Sequence, residues 1–246
     1  MRVALFADMH ANREAFEACL RHAREDGAEQ HFFLGDYVGY GADPEWVVTT
    51  VMGRVADGGV AVLGNHDNAV ADLNESLNVE AQVAMEWTRG ELGRDERRFL
   101  EELPLTHEDG ALLYVHADAS NPKSWRYVTG AEEAARSMMA TSAEITFCGH
   151  VHRPALYTLS ATGKVSSFTP VADSPIQLLP RRRWLAVLGS VGQPRDGNPA
   201  AAYAILDTER RELIFRRVPY DIDTAAAKIR AKGLPAWLAD RLSLGR

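Results

Sequence analysis

Residues 2–10 of the chain read RVALFADMH, an apolar run of strand length that ends in an aspartate and a histidine. The pattern returns at 31–36, where HFFLGD also ends in an aspartate. It returns again at 60–67, where VAVLGNHD ends in Gly-Asn-His-Asp. Short apolar runs bounded by glycine and polar residues are typical of buried strands. Each run therefore predicts a strand with a polar cluster at its carboxyl end.

The intervals between these runs predict helices. Phe16, Cys19 and Ala23 recur at helical spacing in the first interval, and Val47 and Val51 do so in the second. A β-α-β-α-β order predicts a mostly parallel sheet.

Strand-sized apolar runs return in the second half of the chain, at 111–115, 145–148, 155–159, 176–179, 184–188, 202–206 and 213–218. The last two flank a polar segment and predict an antiparallel hairpin. Between the two sets of runs, residues from about Asn78 to Leu103 predict one helical stretch, and the C-terminal helix breaks at Gly233-Leu234-Pro235. We expect an α/β fold in which two mixed β-sheets pack as a sandwich with flanking helices, in a single domain spanning residues 1–246.

The composition excludes several classes of protein. The 246 residues are 46% hydrophobic and 25% charged, which is ordinary for a globular domain, and no apolar run approaches the ~18 residues that span a bilayer. No basic-then-apolar leader opens the sequence, and Cys19 and Cys148 lie inside predicted elements, so we expect a cytoplasmic protein without a membrane partner. A net charge of −7 disfavours a nucleic-acid partner.

Polar side chains suited to metal binding follow five of the predicted strands; they are Asp8, His10, Asp36, Asn65, His116, His150 and His152. Carboxyl ends of parallel strands meet at one edge of a sheet, so we expect these groups to converge. Carboxylates, an amide and imidazoles together suit Mn²⁺, Zn²⁺, Fe, Ni²⁺ or Co²⁺ better than Ca²⁺ or Mg²⁺. The set is too large for one tetrahedral ion and sufficient for two ions that share a bridging carboxylate.

The motifs stand in a fixed order along nearly the whole chain: Asp8-x-His10, Gly35-Asp36-x-x-Gly39, Gly64-Asn65-His66-Asp67, Val115-His116 and Gly149-His150-x-His152. This set resembles the calcineurin-like metallophosphoesterases. Asp43-Pro44, Leu77-Asn78 and the segment 189–196 are similar to the small bacterial predicted-phosphodiesterase branch of that family. The resemblance implies a four-layer α/β/β/α sandwich, which agrees with the fold predicted from the runs.

The resemblance also implies a role for each metal-binding residue. Three side chains would hold one ion, namely Asp8, His10 and His152. Three others would hold a second ion, namely Asn65, His116 and His150. Asp36 would bridge the two ions. We expect Mn²⁺ to be favoured, with the two ions ~3.5–4 Å apart and a bridging hydroxide as the nucleophile.

Three further residues are candidates for other roles. The resemblance makes His66 the general acid or hydrogen-bond donor at the leaving group, with Asp67 orienting it; a helix N-terminal cap is the alternative role of Asp67. Arg195 is a candidate for binding substrate phosphate through its planar fork, with a salt bridge to Asp196 as the alternative. Asn12 stands where a helix N-cap belongs.

The favoured function is a phosphodiesterase acting on a small-molecule phosphoester. A phosphomonoesterase and a nucleotide polyphosphate hydrolase are alternatives from the same chemistry. A protein phosphatase is disfavoured because Leu63, and not an arginine, precedes Gly64. A non-catalytic scaffold is disfavoured because every ligand position and His66 are intact. The sequence leaves a homo-oligomer open.

Overall fold

A computed structural model of the chain describes residues 1–75, 77 and 79–246, without the side chain of Glu80. The strands of this part of the chain are β1 (Arg2–Phe6), β2 (Gln30–Phe33), β3 (Val60–Ala61), β4 (Thr106–Asp109), β5 (Leu112–Val115), β6 (Ile145–Cys148), β7 (Ala155–Leu159), β8 (Val165–Phe168), β9 (Pro175–Gln177), β10 (Arg183–Val187), β11 (Ala201–Asp207) and β12 (Glu212–Val218). The helices are α1 (Arg13–Glu25), α2 (Pro44–Ala56), α3 (Asn65–Ala71), α4 (Val79–Glu91), α5 (Arg94–Glu101), α6 (Ala131–Met139), α7 (Ile222–Ala231) and α8 (Ala236–Asp240).

The strands form two mixed six-stranded sheets, so the predicted two-sheet architecture is confirmed. The first sheet has the order β3-β2-β1-β11-β12-β9, and its strands β1, β2 and β3 are parallel. The second has the order β4-β5-β6-β10-β7-β8, and its strands β5, β6 and β10 are parallel. The predicted hairpin is also confirmed, because β11 and β12 pair antiparallel.

Side chains that alternate between the two faces of each strand build the layers of the fold. Val3 and Leu5 of β1 lie in the apolar core between the two sheets, whereas Ala4 and Phe6 belong to the cluster that packs against α1 and α2. Successive side chains of a strand point to opposite faces, so each central strand can serve two layers. On the outer face of the second sheet, Met138 of α6 completes a further cluster. The result is the four-layer α/β/β/α arrangement.

One predicted helix is wrong in extent. The stretch expected from about Asn78 to Leu103 is two helices, α4 and α5, and Asn78 itself lies outside the described residues. Gly93 separates them in an extended conformation, with φ −75° and ψ 179°. The Arg97 side chain donates to the carbonyl oxygen of Leu92 at 3.1 Å, which satisfies an acceptor at the end of α4.

Four elements escape the sequence pattern. Strands β4 and β8 carry the polar sequences THED and VSSF, and both lie at edges of the second sheet, where no apolar alternation is required. Helix α3 is short and begins inside the Gly-Asn-His-Asp motif, and α6 is rich in alanine and glutamate. Among the residues that the structure describes, no helix has the length and apolar character needed to cross a bilayer.

A substitution at Gly192 can test how tightly this loop packs against the loop that follows β1. A Cβ on Gly192 would overlap the main-chain oxygen of Met9, whereas a Cβ on Gly53, inside α2, meets no atom within 4 Å. We expect Gly192→Ala to lower the free energy of unfolding by about 1–3 kcal/mol through overpacking. The matched Gly53→Ala should raise it by about 0.5–1 kcal/mol, because alanine is the better helix former. Urea unfolding followed by circular dichroism measures both, and equal effects would contradict the tight packing of Gly192 against Met9.

Candidate metal centre

The loops that follow β1 and β2 continue the hydrogen bonding of the parallel sheet. The amide of Asp8 donates to Gly35 at 3.0 Å, and the amide of His10 donates to Asp36 at 2.9 Å. Asp8, His10 and Asp36 all have positive φ angles of 57°, 46° and 56°. Residues other than glycine rarely adopt positive φ angles. The strand ends are therefore held in a backbone conformation that costs free energy.

The first group of donor atoms comes from Asp8, His10, Asp36 and His152, and these atoms all lie within 4.8 Å of one another. Nε2 of His10 is 3.0 Å from Nε2 of His152, which is 3.5 Å from Oδ1 of Asp8. All four side chains are buried. The two aspartates and His10 follow strands of the first sheet, whereas His152 follows β6 of the second.

The second group comes from Asp36, His116 and His150. Nε2 of His116 is 3.1 Å from Nδ1 of His150 and 3.3 Å from Oδ2 of Asp36. The amide oxygen of Asn65 lies 3.3 Å from the same Nε2 atom. The structure thus brings together all seven residues expected at the metal site, in the two groups that the family resemblance implies.

Asp36 stands between the two groups. Its Oδ2 atom is 3.7 Å from Nε2 of His10 and 3.3 Å from Nε2 of His116. Its Oδ1 atom accepts the amide of His66 at 2.9 Å. A single carboxylate oxygen therefore faces both sets of imidazoles.

Each of the four imidazoles is held by a hydrogen bond to a main-chain carbonyl oxygen. One ring nitrogen of each lies at 2.7–3.1 Å from a main-chain carbonyl oxygen, in the pairs His10–Val38, His116–Leu34, His150–Trp125 and His152–Gln193. A carbonyl oxygen can only accept, so that nitrogen carries the proton in a neutral ring. The nitrogens that face one another across the site then carry lone pairs. A cation between them satisfies those lone pairs, so the donor set fits metal ions.

The electrostatics of the site also favour a cation. Burial raises the pKa of Asp8 to about 8, and burial lowers the pKa of His10 and of His152 well below the ordinary range. Burial also acts to lower the pKa of His116, but the adjacent Asp36 carboxylate outweighs it and raises the pKa to about 9. The Asp36 carboxylate thus already attracts positive charge, in the form of a proton on His116, and a metal ion bound there would take the place of that proton.

A pocket of about 80 Å³ opens over the donor atoms, and we call it the histidine pocket. It is lined by Asp36, Tyr40, Asn65, His66, Leu77, Ala81, Tyr127, His150, His152 and Arg195. Its floor carries the polar groups of both donor groups, and its wall carries apolar and aromatic side chains. The structure thus brings His66 and Arg195 to the same pocket as the predicted metal ligands.

His66 lies in the first turn of α3, with its ring 4.9 Å from that of His10 and 4.6 Å from that of Tyr40, measured between centroids. Within the described residues its buried Nδ1 atom has no hydrogen-bond partner. Burial lowers the pKa of His66, although Asp36 acts in the opposite direction. On the Nδ1 side the ring is therefore held by packing alone, among the residues that the structure describes.

Asp67 occupies a different position from the one expected of a residue that orients His66. Its carboxylate accepts the amides of Asp36 at 2.7 Å, Tyr37 at 2.9 Å and Gly64 at 3.0 Å. The bond to Gly64 caps the amino end of α3, which is the alternative role considered for this residue. The bonds to Asp36 and Tyr37 join that helix end to the loop of the bridging carboxylate.

Arg195 and Asn12 can also be assigned contacts. The Arg195 guanidinium lies 5.7 Å from the ring centroid of Tyr40 and donates to Oε1 of Gln193 at 2.9 Å. The expected alternative, a salt bridge to Asp196, is wrong, because Asp196 pairs with Arg217 instead. Asn12 caps α1 as predicted, since its side-chain oxygen accepts the amide of Ala15 at 3.1 Å.

Two aromatic residues of the pocket wall were missed by the sequence analysis. Tyr127 stacks on His150, with ring centroids 4.1 Å apart and planes 12° from parallel. Tyr40 lies between Arg195 and the rings of His10 and His66. Tyr40 lies between Gly39 and Gly41, next to a metal-binding motif, and this position could have indicated that it is near the site. Nothing in the sequence around Tyr127 indicates the site.

The sequence profile described as the calcineurin-like phosphoesterase superfamily domain matches residues 1–211. The chain belongs to this superfamily of metallophosphoesterases, and membership implies hydrolysis of phosphoesters. It is 34% identical over 251 residues to the uncharacterized protein MJ0912 of Methanocaldococcus jannaschii, covering 99% of this chain and 98% of that protein.

Solved structures agree with this assignment. The crystal structure of a metallophosphoesterase from Sphaerobacter thermophilus is similar with a TM-score of 0.88 and 34% identity, over 100% of this chain and 99% of that one. The hypothetical protein PH1004 from Pyrococcus horikoshii shares the fold, with a TM-score of 0.79 at 20% identity, over 100% and 98% of the two chains.

Metal binding should stabilise the fold measurably. At Mn²⁺ concentrations about 1,000 times the dissociation constant, binding adds about 4 kcal/mol, which corresponds to a rise in Tm of roughly 8–16 °C for a domain of this size. We expect a chelator to remove this rise. Asp36→Asn, which keeps the shape of the side chain and removes its charge, should lose most of it. Differential scanning calorimetry with and without Mn²⁺ measures the effect; an unchanged Tm in the native chain would contradict a metal centre at these residues.

Proposed function

We propose that this chain is a phosphodiesterase with a dinuclear metal centre, in which residues 1–246 act as one domain on a small-molecule phosphodiester. The observation that carries the proposal is the position of Asp36, whose Oδ2 atom faces His10 at 3.7 Å and His116 at 3.3 Å. A bridging carboxylate is the group that a two-metal site requires and a one-metal site does not. Mn²⁺ is the favoured ion, because the ligands mix carboxylates, an amide and imidazoles.

The seven ligands would hold two ions in the division already described. Bound there, divalent ions polarise a phosphoryl oxygen and lower the pKa of a water nucleophile. The protein keeps the histidines ready for this by holding each ring through a main-chain carbonyl. Because these bonds fix which nitrogen points inward, the ligands need no rearrangement when the ions bind.

We propose His66 as the group that protonates the leaving oxygen. Its ring lines the histidine pocket beside the ligands, yet the neighbouring Asn65 supplies the ligand atom from this motif. Burial lowers the pKa of the free ring, so in this proposal the negative charge of the bound phosphoester holds the proton on His66 until the bond breaks. General-acid catalysis of this kind is typically worth ~10²–10⁴ in rate.

Two other residues prepare the pocket in this proposal. Arg195 reaches the pocket from the loop after β10 and would bind a nonbridging phosphate oxygen through its fork. Asp67 is a positioning residue, because its carboxylate holds the amides of Asp36 and Tyr37 and so fixes the loop that carries the bridging group. Leu77 and Tyr127, which also line the pocket, would contact the second ester group that a diester carries and a monoester lacks.

The proposal is tested by comparing two nitrophenyl substrates in the presence of Mn²⁺. We expect the Mn²⁺-loaded chain to hydrolyse bis-nitrophenyl phosphate with a higher kcat/KM than nitrophenyl phosphate. Asp36→Asn should lower both rates by ~10³ or more, because the bridge between the two ions is lost. A preference for the monoester would replace the diesterase by a phosphatase. Undiminished hydrolysis in Asp36→Asn would show that the rate does not depend on this centre.

The role of His66 predicts a dependence on the leaving group. A nitrophenolate leaves without help, whereas an unsubstituted phenolate needs a proton as the bond breaks. We expect His66→Gln to lower kcat by ~10²–10³ for the phenyl diester and by less than tenfold for the nitrophenyl diester. Asp67→Asn is the matched control, since a positioning residue should lower both rates by the same factor. Steady-state kinetics on the two substrates distinguish these patterns, and equal losses in His66→Gln would remove the proton-donor role.

A further inference from the structure

A second cavity adjoins the histidine pocket, and we call it the arginine pocket. It has a volume of about 620 Å³ and is lined by Arg153, Arg195, Asp196, Gly197, Arg241 and Arg246. Four of these six residues are arginines, in a protein whose net charge is −7. A pocket lined by this many positive charges in an acidic protein favours the binding of an anion.

The positive charges of this pocket are not neutralised by neighbouring acidic side chains. Within residues 1–75, 77 and 79–246, no aspartate or glutamate forms an ion pair with Arg153, Arg195 or Arg241; the lining carboxylate of Asp196 is taken by Arg217. Arg241 donates to the main-chain oxygen of Arg246 and lies 4.5 Å from the ring centroid of Trp237. Burial, together with the charge of Arg195, lowers the pKa of Arg241 to about 10.

The arginine pocket and the histidine pocket are joined through one side chain. Arg195 lines both cavities. Its amide donates to the carbonyl of His152 at 3.1 Å, and its carbonyl accepts from Nε of Arg153 at 2.7 Å. His152, a candidate metal ligand, and Arg153, a lining residue of the arginine pocket, are adjacent in sequence. The two cavities are therefore neighbours that meet at Arg195.

We propose that the arginine pocket binds a second phosphate group of the same substrate, so that the preferred substrate carries one phosphoester at the metal centre and another phosphate beyond Arg195. Planar guanidinium groups bind phosphate oxygens in pairs, and Arg153 and Arg241 both line the cavity with such groups. This inference rests on the proposed function, because the first phosphoryl group occupies the candidate metal centre. It narrows the substrate to phosphoesters with a further phosphate.

The test uses ligands that cannot be hydrolysed. Methylphosphonate carries one phosphonate, and ethylene and propylene diphosphonate carry two at increasing separation. Isothermal titration calorimetry on the Mn²⁺-loaded full chain gives a dissociation constant for each, and the informative quantity is the ratio of the constant for methylphosphonate to that for the tighter diphosphonate. Because the ratio is a binding measurement, it needs no turnover. Arg153→Gln/Arg241→Gln removes both forks.

Two further variants serve as controls. Arg153→Lys/Arg241→Lys keeps the charge and removes the planar fork. Arg182→Gln removes an exposed arginine just before β10, at the end of the strand opposite to the loop that carries Arg195. Far-ultraviolet circular dichroism and the Mn²⁺-dependent rise in Tm establish that each variant is folded and binds metal.

We expect a ratio of ~10–100 in the native chain and in Arg182→Gln, since each charge-assisted pair is worth about a factor of ten. The ratio should fall to about 1 in the double glutamine variant and take an intermediate value in the lysine variant. A native ratio near unity, or one that survives the loss of Arg153 and Arg241, overturns the inference even if diester hydrolysis is observed. The expected ratios without hydrolysis of any nitrophenyl ester would support the arginine pocket and overturn the proposed diesterase.

Discussion

Four imidazoles and two carboxylates are buried together at the carboxyl ends of the parallel strands, and most of the site's geometry follows from how their hydrogen bonds are arranged. Each imidazole gives one N–H group to a main-chain carbonyl, which directs its lone pair toward the centre. The ligand residues themselves adopt backbone conformations that are rare outside glycine, with positive φ angles at Asp8, His10, Asp36, His150 and His152. Cations bound by the inward-facing lone pairs would offset the cost of that strain.

Much of this arrangement could be predicted from the sequence, because a strand end followed by a metal-binding residue is a local pattern. Asp8, Asp36 and His116 each follow an apolar run, and their convergence follows from parallel pairing. The division of the ligands between two ions came from the family resemblance, and periodicity alone could not supply it. The fold was predictable for the same reason, since both sheets are built on apolar strands.

The parts that escaped prediction depend on contacts that the local sequence pattern does not reveal. The family resemblance predicts that Asp67 orients its neighbour His66, but the Asp67 carboxylate accepts amides of the loop around Asp36, which lies thirty-one residues earlier in the chain. Tyr127 reaches the pocket only because its loop passes over His150. The edge strand β4 has no apolar alternation and forms because β5 offers free backbone groups. For Asp67 and Tyr127 the deciding partner is far away in sequence. For β4 the partner is the adjacent strand β5, but the polar sequence THED carries no apolar pattern that predicts the pairing.

The origin of the ligands has a consequence for how the sandwich moves. Each donor group takes side chains from both sheets. His152 joins three residues of the first sheet, Asp36 among them, and His116 and His150 join the same Asp36 together with Asn65. A cation at either position would therefore be a reversible cross-link that holds the two sheets together at one end of the sandwich. Amide hydrogen exchange in the loops at this end would be governed by metal occupancy, whereas exchange in the strand interiors would follow global unfolding. Local opening at this end of the molecule would thus depend on the concentration of metal, whereas the apolar core would open only on global unfolding.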